Sequence, residues 1–253
     1  MDEQGEQGEQ SERDVQSEQD GQGAQHVQDG PTHPADLLVE AARDGDTATV
    51  ERLLREGVAP DDPGGGRVMA LEAAVHPGHA AVVDLLLRAG AEPARLVGEY
   101  DGDQTPLTIA VGRGHTDVVR LLLAAGAPTG PQTRFGWVPL VHAATGTLGD
   151  ALALIDLLLE FGADLEERRH DMTPLEWAAG MPRTDVVHHL LARGATPTLQ
   201  ARDRAVLWGA RRNPEKIAVF KEIVAALGSA AAARRASDTP TDPGASRGAS
   251  VRG

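Results

Sequence analysis

Residues 105–127 read TPLTIAVGRGHTDVVRLLLAAGA, and the apolar positions fall into two short groups separated by a polar turn. In the second group Val118, Val119, Leu122 and Leu123 are spaced i, i+1, i+4, i+5. That spacing places them on one face of a helix. The first group, around the small residue Ala110, follows Thr105-Pro106-Leu107. A threonine before proline predicts a helix start: the hydroxyl caps, and the missing proline N–H costs nothing at the first helical position. Gly114-His115 predicts a tight turn between two helices. Gly126 supplies the left-handed residue that stops the second one.

The same pattern recurs. Helical stretches end in LLREGVA, LLLRAGA, LLLAAGA, LLLEFGA and LLARGAT, with terminal glycines at Gly57, Gly90, Gly126, Gly162 and Gly194. Their separations are 33, 36, 36 and 32 residues. Upstream of each lies a small-residue pair: Ala41-Ala42, Ala74-Val75, Ala110-Val111, Ala143-Ala144 and Ala178-Ala179. A period of this length predicts a stack of two-helix units, joined by loops of 11–15 residues, instead of one globular core.

These units resemble the ankyrin repeat. Residues 105–127 match the family pattern most fully, and TPLEWAAGMPRTDVVHHLLARGA, 173–195, comes next, with Pro182-Arg183 where Gly-His is expected. Unit two keeps Gly78-His79 but has Met69-Ala70-Leu71 for Thr-Pro-Leu. Unit four has Val138-Pro139-Leu140 and three extra residues around TGTLGD. Unit one has Asp36 as its expected cap. The histidine that usually follows Thr-Pro-Leu is replaced throughout, by Val39, Glu72, Thr108, Val141 and Glu176. The resemblance implies an all-α ankyrin-repeat solenoid of five repeats, at about 36–57, 69–90, 105–126, 138–162 and 173–194, within 34–198. It also implies that His79 and His115 hydrogen-bond to a neighbouring repeat.

After Gly194 the pattern degenerates. Residues 199–228 are expected to form a helical cap, as solenoids require. Its first helix would turn Val206, Leu207 and Ala210 inward, and Trp208 would pack there. Its second would be capped by Asn213, begin at Pro214, carry Ile217, Phe220, Val224 and Leu227 as its stripe, and end at Gly228. Residues 1–33, rich in Glu, Gln and Gly, and residues 229–253 are expected to be disordered tails.

Charge and composition narrow the function. The net charge is −14, of which residues 1–30 carry −8, 31–228 carry −8 and 229–253 carry +2. An acidic body repels phosphate backbones, so nucleic acid is excluded as a partner. The chain has no Cys, no secretory-type leader and no apolar run of membrane-spanning length, which points to a cytoplasmic protein with no membrane partner. Arginine outnumbers lysine 22 to two, which hints at a GC-rich bacterial genome.

No catalytic constellation emerges. All six serines lie in the expected tails, PGGGR at 63–67 has no following Lys-Ser/Thr, and no His-Glu-x-x-His is present. His188 and His189 are adjacent on a helix and point about 100° apart, which suits solvation or packing better than chelation. Neither metal nor cofactor is expected.

The aromatic pair in TRFGWVPL therefore stands out, because Phe, Trp and Tyr make up only 3% of the chain. In ankyrin stacks the loop residues just before Thr-Pro-Leu contact partners. Those positions are Arg134, Phe135 and Trp137 in unit four. In unit three they are Asp101, Gly102 and Gln104, next to Tyr100, and in unit five Arg169, His170 and Met172. Phe135 and Trp137 either form one exposed patch that anchors a partner or cover the insertion at 145–153. Trp177, inside a first helix, is expected to pack. The expected function is non-enzymatic binding of an unidentified protein partner by a monomer, the acidic body favouring a basic or mixed surface. A regulatory or immunity subunit that occludes an enzyme is the second reading, and small-molecule binding or catalysis in the groove the third.

Overall fold

The computed structural model describes residues 33–66, 68–96, 104–131, 137–212 and 216–237. Among them the chain forms twelve α-helices in consecutive pairs. The pairs are α1 (Pro34–Asp44) with α2 (Thr47–Arg55), α3 (Ala70–Val75) with α4 (Ala80–Arg88), and α5 (Pro106–Arg113) with α6 (Thr116–Ala124). They continue with α7 (Pro139–Thr145) and α8 (Ala151–Glu160), α9 (Pro174–Ala179) and α10 (Thr184–Ala192), and α11 (Leu199–Arg212) and α12 (Ile217–Ser237). Each odd-numbered helix packs on the next odd-numbered helix, and each even one on the next even one, so two helical layers run along the stack. This is an ankyrin-repeat solenoid.

The apolar doublets explain the layering. Val82, Val83 and Leu86, then Val118, Val119, Leu122 and Leu123, then Leu154, Ile155, Leu157 and Leu158, are all buried between the layers. Each such Leu or Ile stabilises the stack by roughly 1.5–3 kcal/mol relative to exposure. The first helices approach through Ala42, Ala74, Ala110, Ala144 and Ala179, none more than 0% exposed. Gly57, Gly90, Gly126, Gly162 and Gly194 stop the second helices with φ between 86° and 100°. The residue after each then donates back five positions, as Ala127 N–H does to the Leu122 carbonyl at 2.9 Å.

The histidine missing after Thr-Pro-Leu has local substitutes. Thr108 and Glu176 complete capping boxes with Thr105 and Thr173. Glu176 is 1% exposed; one carboxylate oxygen accepts from the Thr173 N–H (3.0 Å) and the other from the Thr198 hydroxyl (2.7 Å).

The Gly-His turns key one unit to the next. His79 Nε2 lies 3.1 Å from the Arg43 carbonyl, and His115 Nε2 lies 3.2 Å from the His76 carbonyl, as the resemblance implied. Gly45 and Gly78 leave room for those rings: a Cβ on Gly78 would come within 2.7 Å of His115. Arg183 takes the histidine's place in α9–α10 and donates to the Gly146 carbonyl at 2.7 Å. In the α7–α8 turn, lengthened by the insertion, Gly149 lies directly on Gly114 and Asp150 caps α8.

The C-terminal pair corrects three expectations. Val206 and Leu207 are exposed, at 49% and 55%, while Ala201 and Ala205 face inward with Trp208 half-buried; the side chain of Ala210 lies outside the described residues, as do Asn213 and Pro214. Ile217 is 40% exposed, and Phe220, Ile223 and Leu227 carry the buried stripe of α12 instead. Gly228 does not end that helix, which runs to Ser237, so residues 229–237 are helical and not a tail. One glycine costs a helix about 1 kcal/mol, and the Ala230–Ala233 run beyond it recovers that. Arg234 also ties the last turn back, donating to Thr196 Oγ1 at 2.8 Å and the Gly194 carbonyl at 3.0 Å. Residues 1–32 and 238–253 lie outside the described residues.

Candidate partner-binding face

The residue just before a helix cap and the fourth residue of that helix lie together and set the entry angle of the chain. In α7 these are Trp137 and His142. Their rings meet edge to face, with centroids 4.2 Å apart at 88°. The Arg169 guanidinium sits over the other part of Trp137, 3.5 Å from the ring centroid. Trp137 is thus half-buried between its own helix and the next hairpin.

The next unit extends this arrangement. Trp177 is the fourth residue of α9, equivalent to His142, and its indole N–H donates to the Arg169 carbonyl at 3.1 Å. Arg204 of α11 stands over the Trp177 ring at 5.5 Å. A half-buried ladder of His142, Trp137, Arg169, Trp177 and Arg204 therefore runs along the odd-helix layer. Trp177 packs, as expected, but it also keeps part of its ring exposed.

Burial and the charge of Arg169 hold the His142 imidazole at a pKa of about 4, so it is neutral at pH 7. Burial also lowers Arg169 below the usual guanidinium range. His142 Nε2 and Arg169 Nε are buried without a hydrogen-bond partner among the described residues. Sequence reasoning missed His142 as a member of this group. The signal was present: it falls four residues after the cap, as Trp177 does.

The hairpin before α9 is tight. Arg169 and Met172 exchange N–H to carbonyl bonds of 3.0 and 3.1 Å, and His170 and Asp171 between them both have positive φ, 50° and 59°. Two such residues make a type I′ turn. His170 projects as an exposed tip. Met172 is only 7% exposed, because it occupies the pre-cap position that packs onto its helix, so it presents no surface to a partner. Gln104 is half-buried. Arg134, Phe135, Tyr100 and Asp101 lie outside the described residues.

Toward the N-terminus the same two positions hold Val68 and Ala73, and the layer opens into a cleft of about 420 Å³ lined also by Arg43, Glu72, His76, Pro77 and Arg113. Burial and the charge of Arg113 lower the His76 pKa. On the even layer His189 is bonded to Asp156 at 2.5 Å, and Arg193 to the same carboxylate. Among the described residues no three His, Asp or Glu side chains gather as metal ligands, and no helix is long and apolar enough to cross a membrane.

No curated protein matches the chain. Among solved structures, the human ASB11 ankyrin repeat domain superposes with a TM-score of 0.61 at 24% identity, over 76% of this chain and 82% of that one. This likeness speaks for the fold. The family model for ankyrin repeats, in three copies, matches residues 38–132 and 90–169, a span of more than half the sequence. With the Thr-Pro-Leu caps, the Gly-His keys and the glycine-stopped second helices all in place, the chain belongs to the ankyrin-repeat family.

Proposed function

We propose that this protein is a non-enzymatic binding module that docks a partner protein on the odd-helix layer and its hairpins. Ankyrin repeats are in general protein–protein interaction modules, and the family is typically non-catalytic. The observation that carries the reading here is the ladder of Trp137, Arg169, Trp177 and Arg204. Trp and Arg dominate binding energy where they are held rigid and partly exposed, because little side-chain entropy remains to be lost. Each ring in the ladder is already fixed by a stacked guanidinium or a hydrogen bond. His170 at the hairpin tip belongs to the same edge in this reading, and the sequence adds Arg134, Phe135, Tyr100 and Asp101 as candidate contacts.

Affinity purification from the native cell tests it. The wild type is compared with a Phe135→Ala/Trp137→Ala variant and with Arg120→Glu on α6, an exposed residue of the opposite layer. A partner lost with the first variant and kept with the second is the expected result. A partner kept by both, or lost only with Arg120→Glu, would falsify the assignment of the face.

A further inference from the structure

The cleft between α1, α3 and α5 differs in chemistry from the rest of the molecule. Its floor is apolar, formed by Val68, Ala73 and Pro77. Its rim carries Arg43 at the end of α1 and Arg113 at the end of α5, both exposed. Neither arginine forms an ion pair among the described residues. Arg52, Arg55, Arg88, Arg183 and Arg193 do, and what sets Arg43 and Arg113 apart from other arginines without an ion pair there, such as Arg120 and Arg202, is that both line one cleft. The one carboxylate among the described lining residues, Glu72, is 7% exposed and 4.0 Å from His76 Nε2, so it lies beneath the apolar surface and not at the rim.

In a chain of net charge −14, two exposed arginines that line one concavity and have no ion pair among the described residues run against the overall field. A low-dielectric wall behind them strengthens their pull on an anion. The apolar floor argues against a bare inorganic anion, which would gain nothing from Val68 and Ala73. It suits a chain that brings an aliphatic side chain together with its carboxylates. We propose that this cleft binds an acidic peptide segment of the partner: an aliphatic side chain seats on Val68, Ala73 and Pro77 while flanking carboxylates engage Arg43 and Arg113. The proposal rests on the protein-binding reading and gives it a partner class. It reverses the expectation, drawn from the net charge, of a basic or mixed partner surface.

Fluorescence anisotropy on the full chain tests it with three labelled heptapeptides: Gly-Glu-Glu-Leu-Glu-Glu-Gly, its lysine counterpart and its serine counterpart. The glutamate peptide is expected to bind at least about tenfold tighter than either, and to weaken as NaCl rises from about 50 to about 500 mM. Arg43→Glu/Arg113→Glu should weaken it about 100-fold, and Arg43→Gln/Arg113→Gln about tenfold. Both side chains are exposed, so the variants should melt with the wild type and lost binding will not be lost fold. Equal binding of the lysine or serine peptide, an unchanged Kd in the charge-reversed variant, or full displacement by about 1 mM inorganic phosphate overturns the proposal. A peptide that ignores charge but is lost with Trp177→Ala also overturns it, and leaves the broader docking reading standing. If no peptide binds, the acidic-segment proposal falls alone, and the broader reading is decided by the capture experiment.

Discussion

The two halves of the odd-helix layer are built on the same backbone plan and end up as different surfaces. At the pre-cap and fourth-helix positions α3 in the N-terminal half has Val68 and Ala73, next to Gln104 and Ile109 of α5, and the C-terminal half has Trp137 and His142, then Met172 and Trp177. Val68 and Ala73 line a cleft whose rim arginines have no ion pair among the described residues. Large rings fill the same space and recruit the arginines as stacking partners. An ankyrin stack thus sets the local character of its face by side-chain volume at two positions per unit. The arginine's role follows from whether a ring is there to receive it.

Acid is the strongest way to break this contrast, because the filled half holds a neutral histidine. The His142 pKa is about 4 when folded, against about 6.5 in an unfolded chain. As pH falls below 6.5 the unfolded chain takes up a proton that the folded one refuses, so the stability present above pH 6.5 declines until pH 4. The full gap corresponds to about 3 kcal/mol, of which about 2 is lost by pH 5. Urea midpoints at pH 7, 6 and 5 should fall accordingly, and His142→Gln should remove most of that slope. His76 in the open half shifts in the same direction. A His142→Gln chain with an undiminished pH slope would mean that the filled half is not where the protonation cost lies.

Removing the ring itself comes next. Trp137→Ala should destabilise by about 2 kcal/mol, below the cost of a fully buried tryptophan because Trp137 is half-exposed. A double-mutant cycle with Arg169→Ala should give a coupling of about 1 kcal/mol, the size of a partly desolvated cation–π contact. The matching change in the open half, Val68→Ala, should cost less than about 1 kcal/mol, since Val68 lines a cleft and fills none. Equal losses in the two halves would contradict the volume argument.

Much of this plan was legible in the sequence, and where it failed the reasons are physical. The unit period, the Thr105 and Thr173 caps, the stop glycines and the Gly-His keys each rest on a local rule that reads directly from residue type, whereas Asp36, expected to cap unit one, lies inside the first turn of α1, which His33 caps instead. The cap failed where two rules competed. Gly228 reads as a stop, but the alanine run after it and the Arg234 bonds to Thr196 and Gly194 outweigh one glycine. Val206 and Leu207 read as core by hydrophobicity, yet Ala201 and Ala205 face inward because α11 packs closely on α9 and only small residues fit there. The site was half legible: the pre-cap positions followed from the pattern, but the burial of Met172 and the joining of Trp137 to His142 and Arg169 depend on how neighbouring units lean together. That Arg43 and Arg113 have no ion pair among the described residues was not readable at all, since it depends on which carboxylates fail to reach them.

Arg183 offers a subtler comparison, between the filled half's guanidinium key and the open half's imidazole keys. Arg183→Ala deletes the 2.7 Å bond to the Gly146 carbonyl and the pairing with Asp185. The loss should be about 1–2 kcal/mol, most of it from the charge-assisted bond to the half-buried carbonyl. Arg183→His should restore less than half, because Gly146 has φ −66° and ψ 150° instead of the left-handed turn on which the rings of His79 and His115 rest. Chemical-denaturation midpoints of the three chains would show the ordering, and a histidine that restores everything would make the two keys interchangeable.

The smallest effect is a gain, in the hairpin that carries Arg169 to Trp137. His170 and Asp171 occupy the left-handed region, where a residue with a Cβ is strained by roughly 1 kcal/mol. Asn-Gly is the pair that a type I′ turn favours, and neither side chain is buried, so His170→Asn/Asp171→Gly should relieve strain without losing packing. Part of the gain is cancelled because glycine also frees the unfolded chain, leaving a net stabilisation of about 0.5 kcal/mol. The Arg168 side chain bonds the Asp171 carbonyl, a main-chain acceptor that glycine keeps, so that contact survives the change. The stiffer turn should hold Arg169 over the indole more firmly, and the Trp137–Arg169 coupling measured in the variant should be at least as large as in the wild type. A stabilised chain with a weaker coupling would show that the strained tip, and not the helix frame, sets where the guanidinium lies.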